Sequence, residues 1–131
     1  MQWTAVVGIT LLFQHLANAK NSKVDINHSN PTGCLTGDCR NGYGTFQYPN
    51  GNRYIGDFSN GKPNGKGILY CANGNKYIGH WQDNWQQGEG KFIFNEGHEY
   101  FGEFQRSQFH GKGVMRYANG DKYDGDWVAN S

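Results

Sequence analysis

The chain has 131 residues, which sets the expectation of a single domain. Twelve basic against 11 acidic side chains leave a formal charge of +1, which excludes the basic footprint of a nucleic-acid binder and any global charge attraction to an anionic membrane. Aromatics make up 15% while Leu, Ile and Val are sparse, which excludes an aliphatic core and asks for one of rings spread along a thin structure.

The N-terminus runs from Met1 and Gln2 into an apolar-biased stretch, Trp3 to Phe13, followed by Gln14 to Asn18 and a small-residue site at Ala17-Asn18-Ala19. That stretch is too short to cross a bilayer, and its A-x-A ending suits signal peptidase, although no Lys or Arg precedes it. Residues 1–19 are therefore expected to be a cleaved signal peptide, with no lipoprotein anchor because no Cys stands at the cleavage site. The mature chain then begins at Lys20 and is secreted or periplasmic. Residues 20–32 are polar apart from Val24 and Ile26 and read as a flexible leader; Asn27-His28-Ser29 matches a glycosylation sequon.

From there to residue 131 a 23-residue pattern recurs, with units starting near 31, 54, 77, 100 and 123. Glycine falls at the third, twelfth, fourteenth and twenty-first positions, which accounts for 17 of the 20 glycines in the chain. Tyr54, Tyr77, Tyr100 and Tyr123 open units, and Phe58, Trp81, Phe104 and Trp127 follow four residues later. Within a unit, Tyr54, Gly56 and Phe58 alternate with Ile55 and Asp57, then Gly65, Gly67, Leu69 and Cys71 alternate with Lys66, Ile68 and Tyr70. Period two means strand. Ser59 to Asn64 reads as the connection within the unit, and Asn73-Gly74 as a tight turn between units. The expectation is all-β: a single-layer antiparallel meander of β-hairpins, eight or nine strands over residues 33–131. Strand glycines beside large rings imply that each ring lies across bare neighbouring backbone.

The pattern YxGxF or YxGxW, then GxG, then a polar-Gly turn resembles the MORN repeat (membrane occupation and recognition nexus), in a degenerate unit at Pro31, three full units and a truncated fifth. The resemblance implies a non-catalytic scaffold or self-associating adaptor, with phospholipid binding as the other role the family is named for. Some relatives attach the array to a methyltransferase or kinase domain, which is not expected here.

Cys34 and Cys39, close together in the weak first unit, read as a disulfide clamping it if the chain is exported. Cys71 takes the slot held by Tyr48, Phe94 and Tyr117 and reads as a small core residue rather than a reactive thiol. No paired Cys or His spacing suggests zinc. His80, His98 and His110 stand at different repeat positions and read as exposed polar residues. Asp57, Glu103 and Asp126 share one position a unit apart, too far for a catalytic dyad, and Gly-x-Gly lies within strands rather than before a helix. No enzyme activity and no cofactor are expected.

Trp85 and Phe109 fall where the hairpin loops are expected and are candidate partner anchors. Tyr123 and Trp127, on the last strand, are candidate contacts for a homodimer formed by strand pairing or by apposed sheet faces. The mixed face with Tyr43, Ile55, Ile68, Tyr70, Ile78 and Phe101 among lysines is a further contact surface. The expected partner is a protein or a second copy, with lipid or glycan as alternatives and no nucleic acid.

Overall fold

The computed structural model describes residues 31–128. The stretch expected to be a signal peptide, the expected leader up to residue 30 and the sequon lie outside the described residues. Nine strands follow one another: β1 (Gly33–Gly37), β2 (Tyr43–Gln47), β3 (Arg53–Ser59), β4 (Lys62–Tyr70), β5 (Lys76–Gln82), β6 (Trp85–Ile93), β7 (Glu99–Gln105), β8 (Gln108–Arg116) and β9 (Lys122–Trp127). They form one antiparallel sheet in strict sequence order, the all-β meander that the period-two pattern predicts.

The connections inside units are tighter than the sequence suggests. β3 runs to Ser59 and β4 begins at Lys62, so only Asn60 and Gly61 make the turn, at φ 53° and 77°. Two consecutive positive φ values are the mark of a type I′ turn, whose twist matches that of the flanking strands. Asp83-Asn84 and Arg106-Ser107 adopt the same conformation without glycine. Trp85 and Phe109 are consequently strand residues, at the starts of β6 and β8, and their placement in loops is corrected. What hides this in the sequence is a bulge. Register shifts between Gly56 and Phe58, Gly79 and Trp81, and Gly102 and Glu103, where Gly65, Gly88 and Gly111 supply positive φ on the facing strand.

Each strand carries one glycine directly opposite its neighbours' glycines, an unbroken row from Gly37 on β1 to Gly125 on β9. Tyrosine rings lie along it. The Oη of Tyr54 donates to the carbonyl of Asp57 at 2.8 Å, and Tyr77, Tyr100 and Tyr123 repeat the bond to His80, Glu103 and Asp126 at 2.8–2.9 Å. A Cβ on Gly67, Gly90 or Gly113 would stand 2.1–2.3 Å from the phenol oxygen of Tyr54, Tyr77 or Tyr100, so only hydrogen fits. Desolvation in this setting pushes the phenols of Tyr54, Tyr77 and Tyr100 well above their ordinary range, keeping them neutral donors.

The core is a chain of edge-to-face rings. Each of Tyr54, Tyr77 and Tyr100 meets the Phe or Trp of its own unit and that of the next, with centroids 4.9–5.3 Å apart, the geometry aromatic quadrupoles prefer. Beyond the bulge the hairpin arms bend over this face, and Phe109 stacks on Tyr100 at 3.7 Å and 18°. Gln86 occupies the equivalent place one unit earlier, fully buried, with neither Oε1 nor Nε2 hydrogen-bonded. Burying an amide without partners costs about 1–3 kcal/mol. Gln86→Met, nearly isosteric and lacking those atoms, is therefore expected to stabilise the fold by about 1–2 kcal/mol. A lower thermal midpoint for the variant would show that the amide has partners.

The turns between units are stitched to one another. Oδ1 of Asn52 accepts the N–H of Ala72 at 2.9 Å, and Oδ1 of Asn75 accepts that of Asn95 at 2.8 Å. Nδ1 of His98 takes the same role for Ala118 at 2.9 Å, with its ring against Phe94 and Tyr117. The reading of His98 as a free surface residue is corrected: it is a half-buried turn clamp.

Candidate interaction surface

The four aromatics singled out as partner contacts separate in the structure. Phe109 is fully buried between Tyr100, Phe104 and Trp127. Trp127 is only 3% exposed, its indole N–H donating to the carbonyl of Gly113 at 3.1 Å. Both have their faces spent on the core, which corrects their reading as anchors. Tyr123 is half-buried against Trp127. Trp85 alone stays open, at 37% exposure, beside Gln82, Asp83, Gln87, Gln105 and Arg106 around a hollow of about 580 Å³.

Cys34 and Cys39 are joined by a disulfide with their Cα atoms 5.8 Å apart. Cys71 is buried against the ring face, and desolvation pushes its thiol up to about 12, which keeps it protonated and unreactive. Among the described residues no three or more His, Cys, Asp or Glu side chains are grouped to hold a metal ion. No helix of the described residues is long and apolar enough to cross a membrane.

The open surface is the face opposite the rings. Strand register arranges its side chains in three rows that run across the strands. The central row is Thr45, Ile55, Ile68, Ile78, Lys91, Phe101, Val114 and Asp124. Along the between-unit turns runs a second row, Gln47, Arg53, Tyr70, Lys76, Ile93, Glu99, Arg116 and Lys122. Toward the hairpin tips a third comprises Tyr43, Asp57, Lys66, His80, Glu89, Glu103, Lys112 and Asp126, following the bulges. A shallow groove of about 500 Å³ lies over β2 to β7, walled by Tyr43, Ile55, Ile68, Ile78, His80 and Phe101 and floored by bare glycine backbone.

Exposure on this face is high where the fold has no use for it. Tyr43 is 66% exposed, Phe101 53%, Tyr70 40% and Ile78 38%. Sequence reasoning found these side chains from alternation alone. It missed that Lys91 pairs with Glu99 at 3.4 Å and Lys112 with Asp126, because those partners stand on strands whose register is visible only in the folded sheet.

The MORN repeat family model matches four consecutive segments, residues 33–53, 54–76, 77–99 and 100–122. No curated protein matches the chain. The three segments from residue 54 on each supply a pair of strands, a Tyr lying on the glycine row and a polar-Gly turn; the first supplies the strands and the turn but has Pro31 at the place of the Tyr, and together the four span well over half of the sequence. The chain belongs to the MORN-repeat family.

Proposed function

We propose that the chain is a non-catalytic interaction scaffold of an exported protein, holding a protein partner on the outer face of its sheet. MORN repeats are protein- or membrane-interaction modules and are generally non-catalytic. The observation that carries the choice is the exposure of Tyr43, Tyr70, Ile78 and Phe101 on one face while the large rings of Tyr54, Tyr77, Tyr100 and Phe109 are sealed on the other. Apolar side chains left open in this way mark contact surfaces. Export is supported by the apolar N-terminal stretch before Ala17-Asn18-Ala19 and by the Cys34–Cys39 bridge, a bond that persists in oxidising compartments.

A protein is favoured over an anionic membrane because Asp57, Glu89 and Glu103 share the face with Arg53 and Lys76, and a lipid surface would meet both rows at once. A second reading, glycan binding, rests on the Trp85 hollow, where an open indole is ringed by amide, carboxylate and guanidinium groups. A photo-crosslinking residue at position 101 of the full chain, activated in its own compartment, should give discrete protein adducts that Ile78→Asp abolishes. Lipid adducts, or protein adducts indifferent to Ile78→Asp, would overturn the reading. Saccharide-dependent shifts in fluorescence that Trp85→Ala removes would favour the glycan reading.

A further inference from the structure

Among the described residues β9 is paired on one side only, with β8. Its side chains are nonetheless those that, in the three hairpins before it, hold the strand on the other side. In those hairpins Tyr54, Tyr77 and Tyr100 stand opposite Leu69, Phe92 and Met115, and Gly56, Gly79 and Gly102 stand opposite Gly67, Gly90 and Gly113. A bulge glycine with positive φ, Gly65, Gly88 or Gly111, lies two residues earlier on the facing strand. The facing strand thus reads Gly-x-Gly-x-apolar each time.

Three features of that socket recur on β9. Tyr123 donates to the carbonyl of Asp126 at 2.9 Å, which lays its ring along Gly125 as in the earlier units. Gly125 itself is the second. A Cβ on Gly56, Gly79 or Gly102 would stand 2.4–2.7 Å from the Cα of the facing glycine, whereas the nearest atoms to a Cβ on Gly125 are those of the Tyr123 ring, at 3.0–3.7 Å. The backbone that demands glycine in the other units therefore has no counterpart here among the described residues. The third is Asp126, at the repeat position of Asp57 and Glu103. Their carboxylates accept the bulge N–H groups of Lys66 and Lys112 at 3.2 and 3.1 Å. In Asp126, Oδ1 is paired with Lys112, and Oδ2 makes no hydrogen bond among the described residues.

We propose that the open edge of β9 is a binding site for an extended segment of a partner protein, which joins the sheet as an antiparallel strand of the pattern Gly-x-Gly-x-apolar. Backbone hydrogen bonds to the edge supply affinity, and the side chains of β9 supply the selection. The second glycine of the segment lies under the Tyr123 phenol, the residue between the glycines gives its N–H to Asp126, and the apolar residue faces Tyr123. The site is separate from the outer face and stands without it. A second copy does not fit. Two β9 strands paired about Gly125 would lay both Tyr123 rings over the same pair of glycines, and the strands of the required pattern in this chain, β4, β6 and β8 among them, are already paired on both sides.

The probe is a fluorescent peptide with the sequence of residues 108–117, QFHGKGVMRY, titrated with the full chain and followed by anisotropy. It should bind, and its Gly113→Val form should bind at least about ten-fold more weakly, because a side chain at that place meets the phenol. A Tyr123→Ala chain should accept the two peptides within about three-fold of each other. Asp126→Ala should weaken the glycine peptide by about ten-fold, the loss of one charge-assisted hydrogen bond. Ile78→Asp, on the outer face, should leave binding unchanged. Amide hydrogen exchange should show protection gained at residues 122–127 on adding the peptide.

Absence of binding at about 1 mM peptide, far weaker than ordinary specific contacts, overturns the inference and leaves the outer-face reading standing. Binding indifferent to Gly113→Val overturns it as well, since an edge that takes any strand has no built site. Binding that Ile78→Asp abolishes places the peptide on the outer face. Protection of residues 122–127 that rises with chain concentration in the absence of peptide assigns the edge to a second copy, and it too overturns the inference.

Discussion

Replacing Gly90 by valine is expected to lower the stability of the array by about 3–4 kcal/mol, through overpacking of the core and loss of one phenol hydrogen bond. The reason is local and geometric. A Cβ at Gly90 would stand 2.3 Å from Oη of Tyr77 and 2.5–2.6 Å from carbons of its ring. That ring cannot retreat: it is wedged between Trp81 and Phe104 at 5.3 and 4.9 Å, and its hydroxyl is fixed on the carbonyl of His80. Gly61→Ala is the control for backbone strain alone, since Gly61 has φ 77° but nothing within 4 Å of its missing Cβ. Its expected cost is about 1 kcal/mol. A double-mutant cycle separates the causes more sharply. In a Tyr77→Leu background, where the phenol is gone, Gly90→Ala should cost much less than in the wild type, giving a coupling of about 1–3 kcal/mol. Unchanged denaturation midpoints for the Gly90 variants would mean that the ring does not lie on the glycine row.

The ring-on-glycine core was legible in the sequence because both partners keep the same 23-residue period, and coincidence of phase is itself a packing statement. Tyr77, Gly79 and Gly90 could be assigned to one face from alternation alone. The clamp made by His98 was legible in principle, since Asn52 and Asn75 hold its position in earlier units and its imidazole nitrogen can accept as their amide oxygens do. Turn length was not legible. Pro63 reads as turn punctuation, yet it is buried in the arm of β4, where it has its place next to Tyr54's unit partner Phe58. Arg106 and Ser107 make a type I′ turn with no glycine to announce it. The bulge was hidden for the same reason that strands are easy to find: a period-two rule carries no information about an inserted residue, and every side chain beyond the insertion changes its surroundings.

The charge rows show a different limit. Arg53 and Lys76 share a repeat position, but Arg116 comes from the other strand of its unit and joins them only through the pairing of β7 with β8 and β8 with β9. A face built from alternating strands is a property of register, so it follows from the fold rather than from any one segment. The same holds for the row toward the hairpin tips, where Glu89 stands at the position that Lys66 and Lys112 hold in the neighbouring units. A break in the repeat that leaves the ring core untouched changes only the outer face, which is where a repeat protein acquires its own partner without altering its scaffold.

Trp127→Ala is expected to destabilise the array by about 3 kcal/mol, whereas Trp85→Ala should stay within about 0.5 kcal/mol of the wild type. The two indoles are alike in size, and their surroundings decide the difference. Trp127 is covered by Tyr100, Phe109 and Tyr123 at 5.1–5.3 Å, and its N–H satisfies the carbonyl of Gly113. Removing it opens a void beside three rings and leaves that carbonyl without the indole donor. Trp81 makes the matching bond to the carbonyl of Gly67 at 3.3 Å, so the indole at this repeat position is a strut of the core. Trp85 sits at the entry of β6 on the open side, where the equivalent residues are Lys62 and Gln108, and its ring is far more exposed than that of Trp127. Thermal unfolding of the two variants beside the wild type measures the contrast. A Trp127→Ala chain that melts with the wild type would place the indole at a surface after all and return it to the list of partner contacts, and a Trp85→Ala chain that unfolds early would give the open ring a structural duty that its exposure denies.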